Sequence, residues 1–229
     1  MRRRKVYDRE LSVDLKRKDN VMFGLSKSEL KIFKKLSTPI KIQNFLDKMP
    51  MNWEKRGETY MSPRRSLKAK KMHCLEGAIF AATALWLRGE KPLLLDLKAK
   101  GDDDHVVALY KRNGYWGAIS KTNHSTLRFR DPVYKTIREL ALSYFHEYFR
   151  NSDGKKLMVS FSSKPFDLRS LGNKWVTAEK DLHHIVEAID FAPHKQIYPK
   201  RNRKFIRPVD KMERCAGKII EWKRSHSRT

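Results

Sequence analysis

Only two cysteines occur in 229 residues, Cys74 and Cys215. So few, so far apart, they exclude a disulfide framework, and a reducing, cytoplasmic setting is expected. Long apolar runs are missing as well. The longest, Ala78 to Leu87 with Thr83 inside it, is half of the roughly 20 residues a membrane-spanning helix needs. The first ten residues, MRRRKVYDRE, hold nothing like the apolar stretch of a secretory signal. A soluble chain without membrane association is expected. Internal repeats and low-complexity tracts are absent, which excludes solenoids and arrays.

Acidic residues are the scarcer sign: 26 Asp and Glu stand against 51 Lys and Arg, a formal net charge of +25. The excess is uneven. Residues 21–71 and 194–229 carry +9 each, residues 1–20 and 112–150 carry +4 each, residues 151–193 are neutral and residues 72–111 carry −1. Such a distribution predicts basic flanks around a neutral centre, and those flanks attract nucleic acid or other polyanions without sequence preference. No nucleic-acid-binding motif accompanies the charge. The hydrophobic fraction of 40% with 24 aromatic residues fits a folded chain with one good core.

Residues 1–24 are charged and aperiodic, and are expected to form an arm. Ser26 with Glu29 makes a capping box for a helix to Leu36. Thr38-Pro39 reads as an N-cap followed by proline at the first helical position. Residues 51–71 read as a basic loop. From Cys74 to Arg88 the chain is apolar on nearly every side, the mark of a helix in the middle of a domain. Strands are predicted at 93–97, 105–110, 115–120, 126–130 and 157–161. Asn113-Gly114 supplies a two-residue hairpin turn between the second and third. Further helices are predicted behind the Thr136/Glu139 capping box, at 177–188 and at 209–222. The sum is an α+β fold with a mostly antiparallel sheet, residues 25–193, and a basic extension, residues 194–229, that is partly helical.

Chemistry points to Cys74. It opens the central helix, where the positive end of the helix dipole favours thiolate. His105 heads a strand 31 residues later, and Asp131 follows in Arg130-Asp131-Pro132. An imidazole near a thiolate can take and return a proton, and a carboxylate or amide behind the imidazole fixes its orientation. With Arg112 paired to Tyr115, His105 lies opposite Thr122, and Ser120 and His124 become its diagonal neighbours on the same face. Asn123 then points away.

The segment Cys74-Leu-Glu-Gly-Ala, the strand His105-Val-Val-Ala-Leu-Tyr and the return strand with Trp116 resemble the core of the transglutaminase-like superfamily of thiol enzymes, over roughly residues 72–135. That resemblance implies a Cys-bearing central helix packed on the sheet, with extra helices before and after it. It also implies an acyl-enzyme on Cys74 with His105 as general base and acid. The substrate would be a peptide or amide, and the acceptor water or an amine. The family's aspartate soon after the tryptophan is missing here, which makes Asp131 the expected third member and Asn123 its rival. Gln43 and Tyr60 are candidate oxyanion donors. No cofactor or metal is expected: Asp102–Asp104 read as a solvated turn, and His183-His184 with Glu187 as ordinary helix residues. The alternative is a catalytically silent fold that binds polyanions.

Overall fold

The structure, a computed structural model, describes residues 22–55 and 57–220. Most of the predicted arm, and Trp222, lie outside them. Helices α1 (Lys27–Lys35) and α2 (Pro39–Lys48) begin where the caps predict. The Ser26 hydroxyl accepts from Glu29 N while Glu29 returns the bond, and the Thr38 hydroxyl accepts from Lys41 N. The stretch read as a basic loop holds one more helix, α3 (Pro63–Ala69), capped by Ser62 with Pro63 at its first position. Next comes α4 (Cys74–Trp86), buried from Leu75 to Leu85. Phe80 of α4 stacks on Phe33 and Phe45, and burying such a side chain contributes about 1.5–3 kcal/mol.

Strands β1 (Leu93–Ala99), β2 (His105–Arg112), β3 (Tyr115–Ile119), β4 (Arg130–Tyr134), β5 (Met158–Ser162), β6 (Phe166–Asp167) and β7 (His194–Gln196) build one open antiparallel sheet. Its order is β4-β3-β2-β1-β5-β7, with β6 beside the first residues of β1. The fold is therefore α+β with an antiparallel sheet, as expected. Alternation along the strands divides the core in two. Leu94, Val106, Ala108, Tyr110 and Ile119 face α1 to α4 and α6 (His183–Asp190). Leu95, Leu97, Val107, Leu109 and Ala118 face α5 (Ile137–Phe145), which brings Leu140, Ala141 and Tyr144.

Three boundaries differ from expectation for physical reasons. The predicted strand 126–130 is displaced to β4, which contains Pro132. A proline without an N–H is tolerated there because β4 is the sheet edge. The helix predicted from Thr177 starts only at His183. Asp181 accepts from Tyr60 N and Arg65, and Leu182 N donates to Tyr60 O, so this stretch is held by tertiary partners in place of helical ones. The last helix, α7 (Lys211–Gly217), is shorter than predicted and starts at the Asp210 cap. No helix among the described residues is long and apolar enough to cross a membrane.

Gly77 sets how closely α4 approaches the end of β3. A methyl group there would overlap the Cβ of Lys121. Gly77→Ala is expected to destabilise by about 1–3 kcal/mol through overpacking. Thermal melting checks this, and an unchanged melting temperature would contradict the close approach.

Candidate active site

The start of α4 is tied down by a buried carboxylate. Glu76, 0% exposed, accepts from the backbone N–H groups of His73 (2.9 Å) and Met61 (3.0 Å), from the Thr59 hydroxyl (3.1 Å) and from the Asn52 amide (3.1 Å). One side chain thus joins the 52–61 loop to the helix start, and its negative charge sits in the first turn, where the helix dipole favours it. His73 is the N-cap, in extended conformation, and Cys74 is the first helical residue.

Cys74 is half-buried and its thiol points to the Asp104 carbonyl at 3.8 Å. Burial alone would push the thiol up. Hydrogen bonding with His105 and then His73, together with their positive charge, outweighs burial and brings the thiol down to about 6. Burial would likewise lower His73, but the Cys74 thiolate and then the Glu76 carboxylate hold it up at about 9. Between those two values the favoured pair is a thiolate beside an imidazolium. His73 was not singled out from the sequence, although its place beside Cys74 was visible there.

His105 is 5% exposed, and its Nε2 lies 2.8 Å from the Ser120 hydroxyl. That hydroxyl has one proton, which it gives to Leu127 O at 2.6 Å. Ser120 therefore accepts from Nε2–H, and Nδ1 is the ring nitrogen left to take a proton from the thiol side. Leu127 presents its carbonyl from a left-handed backbone (φ 58°), a conformation that costs a leucine about 1–3 kcal/mol. Glu147 holds Leu127 by accepting from its N–H at 2.9 Å. On the other side, the Gln43 amide clamps the Ser120 backbone, donating to its carbonyl at 2.8 Å and accepting from its N–H at 2.9 Å.

The structure brings Cys74 and His105 together and places Asp131 apart from them. Asp131 is exposed on β4, and its charge acts on Tyr110, five residues along β2 from His105 and so about 16 Å away. Asn123 lines the cleft wall without replacing Ser120 at Nε2. Of the two proposed oxyanion donors, Gln43 is committed to Ser120 and to Asp47. Tyr60 lines the cleft, but its hydroxyl donates to Glu58; burial, then that bond, push it up to about 12. The backbone N–H groups of the first turn of α4 have no acceptor within the helix.

The thiol opens onto a cleft of about 550 Å³ whose lining includes Tyr60, His73, Trp53, Asn123 and Asp190. A second groove, about 920 Å³, shares Met51, Trp53, Asn123 and His124 with it and continues past Lys48, Lys121 and Arg128. In the cleft wall, Asp96, Asp104 and Asp190 converge, with ligand-type oxygens within 4.8 Å of one another. The Lys98 ammonium bridges all three, at 3.1, 2.6 and 2.6 Å. Asp102 and Asp103 are exposed, as a solvated turn should be, whereas Asp104 is bound to Lys98 and to Ala99 N. His183 and His184 are exposed on α6, and the His183 ring meets Tyr60 edge-on. Cys215 is a free, exposed thiol.

No protein-family model and no curated protein matches the chain.

Proposed function

We propose that the protein is a thiol enzyme with a transglutaminase-like core, an amidase, peptidase or acyltransferase working through an acyl-enzyme on Cys74. The observation that carries this reading is the pairing of Cys74, at the first position of a buried helix, with an imidazole whose far nitrogen is locked by Ser120. The Cys74 thiol passes its proton to His105 Nδ1, the thiolate attacks a carbonyl carbon, the C–S bond forms, and the oxyanion is met by the first-turn N–H groups. As the tetrahedral species collapses, the amine leaves with a proton from the His105 imidazolium. Water or a second amine then gives its proton to His105 Nδ1, attacks the thioester and releases the thiolate. His73, charged up to about pH 9, holds the sulfur ionised without exchanging the proton. Two free cysteines, one of them a poised thiolate, suit a reducing compartment such as the cytoplasm.

4-Nitrophenyl acetate tests the reading. The expected result is release of nitrophenolate with one acetyl group on Cys74, seen by peptide mass spectrometry, which then turns over in water. Acetylation confined to lysines, unchanged in Cys74→Ala, would overturn it.

A second reading, a polyanion-binding surface, is supported by a separate groove of about 460 Å³ lined by Lys100, Arg150, Lys155, Lys156 and Arg203 with Tyr198. It shares no residue with the cleft. Retention of single-stranded RNA that weakens linearly with the logarithm of salt concentration is the expected behaviour. Absence of binding at low salt would remove it.

A further inference from the structure

Charge at the cleft runs against the charge of the chain. Glu54, Glu58, Asp96, Asp103, Asp104 and Asp190 all line it, and among the described residues no lysine or arginine does, in a protein of net charge +25. Lys98 approaches from behind and neutralises part of the set. A second observation singles out one carboxylate. Asp96 is 1% exposed, and while its Oδ2 meets Lys98 and the His194 ring, its buried Oδ1 has no hydrogen-bond partner. The His194 Nδ1–H is given to Ala192 O at 2.6 Å, which leaves Nε2 facing Oδ2 at 3.1 Å. A buried carboxylate oxygen left unpaired is costly, and a donor entering from the cleft would remove that cost.

We propose that the Asp96 end of the cleft receives a cationic side chain of the substrate, so that Cys74 acts on polypeptide carrying lysine or arginine beside the reacting carbonyl. The assignment rests on the thiol-enzyme reading of Cys74. An ammonium or guanidinium group donates to Asp96 Oδ1 and is surrounded by Asp104, Asp190 and Glu58, in a site where partial burial strengthens each interaction. The groove beyond Trp53 changes sign at Lys48, Lys121 and Arg128. A segment lying across Cys74 therefore meets acidic protein on one side and basic protein on the other, and this fixes its direction. A glutamate-bearing substrate in the same orientation would be repelled.

The test compares lysyl, norleucyl and glutamyl chloromethyl ketones, with iodoacetamide as a probe that needs no pocket. In each ketone reaction the Cys74 sulfur forms a bond to the methylene carbon and chloride leaves. Labelling is followed by intact-protein mass spectrometry at pH 7 and low salt. Relative to iodoacetamide, the lysyl reagent is expected to react about tenfold faster than the norleucyl one and the glutamyl reagent slower still, with the spread contracting as salt is raised. Asp96→Asn is expected to remove most of the lysyl preference. Should that buried substitution prevent folding, Asp190→Asn, at a position whose side chain is 51% exposed, reports a smaller loss. Lysyl and glutamyl rates equal within about a factor of two, with fast iodoacetamide labelling, would overturn the cationic pocket alone. Slow labelling by every reagent, iodoacetamide included, would overturn the thiol-enzyme reading and the pocket with it.

Discussion

Replacing His105 with alanine is expected to lower acyl transfer from an activated ester or amide by about 10²–10⁴-fold, the usual worth of a positioned acid–base group. The thiolate should survive in part. His73 is held up at about 9 by the Cys74 thiolate and Glu76, so an imidazolium remains beside the sulfur throughout the neutral range. The Cys74 midpoint, brought to about 6 by both rings, should then rise toward the ordinary thiol value of about 8.5 without reaching it. His73→Ala should give the opposite split, raising the midpoint while turnover at high pH persists. Alkylation profiles read the first quantity and ester turnover the second. If both variants lost turnover and thiolate equally, the division of labour between the two rings would be wrong.

Glu76→Ala is expected to cost on the order of 3–5 kcal/mol, measured by urea denaturation, because it removes a buried charge whose partners cannot be satisfied otherwise. Four different residues donate to that carboxylate, and they include both the cap of α4 and the loop that walls the cleft. Glu76→Gln should cost less, since the amide keeps one acceptor oxygen. A loss below about 1 kcal/mol for the alanine variant would show that the 52–61 loop docks without this anchor.

The pH dependence of turnover follows from the two shifted groups. Below about 6 the thiolate gains a proton, and activity falls with acid. Above about 9 His73 loses its proton, but the thiol is already ionised there, so this loss alone does not lower activity. A single acid limb with its midpoint near 6 is expected, and it belongs to the coupled Cys74–His73 pair.

What could be read in the sequence was mostly local. The caps at Ser26, Thr38 and Thr136 satisfy backbone donors within three residues, so short windows contain them. Ser62-Pro63 repeats the Thr38-Pro39 signature inside a run dominated by basic residues, whose charge masks it. The Asn113-Gly114 turn set the register, with Arg112 opposite Tyr115 as expected, and that register already placed Ser120 diagonal to His105. Charge and the Pro132 turn make Asp131 the sequence's choice, and the edge strand β4 carries it toward the far end of β2. The role of Gln43 depends on a contact across 77 residues, and the Asp96, Asp104 and Asp190 convergence joins β1, the following turn and the end of α6. Neither has a local pattern. Glu76 lay in plain sight in the Cys74-Leu-Glu motif, but its burial depends on Asn52 and Thr59 arriving from the loop.

The central claim is that Cys74 is a thiolate at neutral pH. Ultraviolet absorbance of the thiolate, taken as the difference between wild type and Cys74→Ser across a pH titration, measures it without any substrate. A midpoint near 6 is the predicted result. A midpoint at or above the ordinary thiol value of about 8.5 would contradict the account.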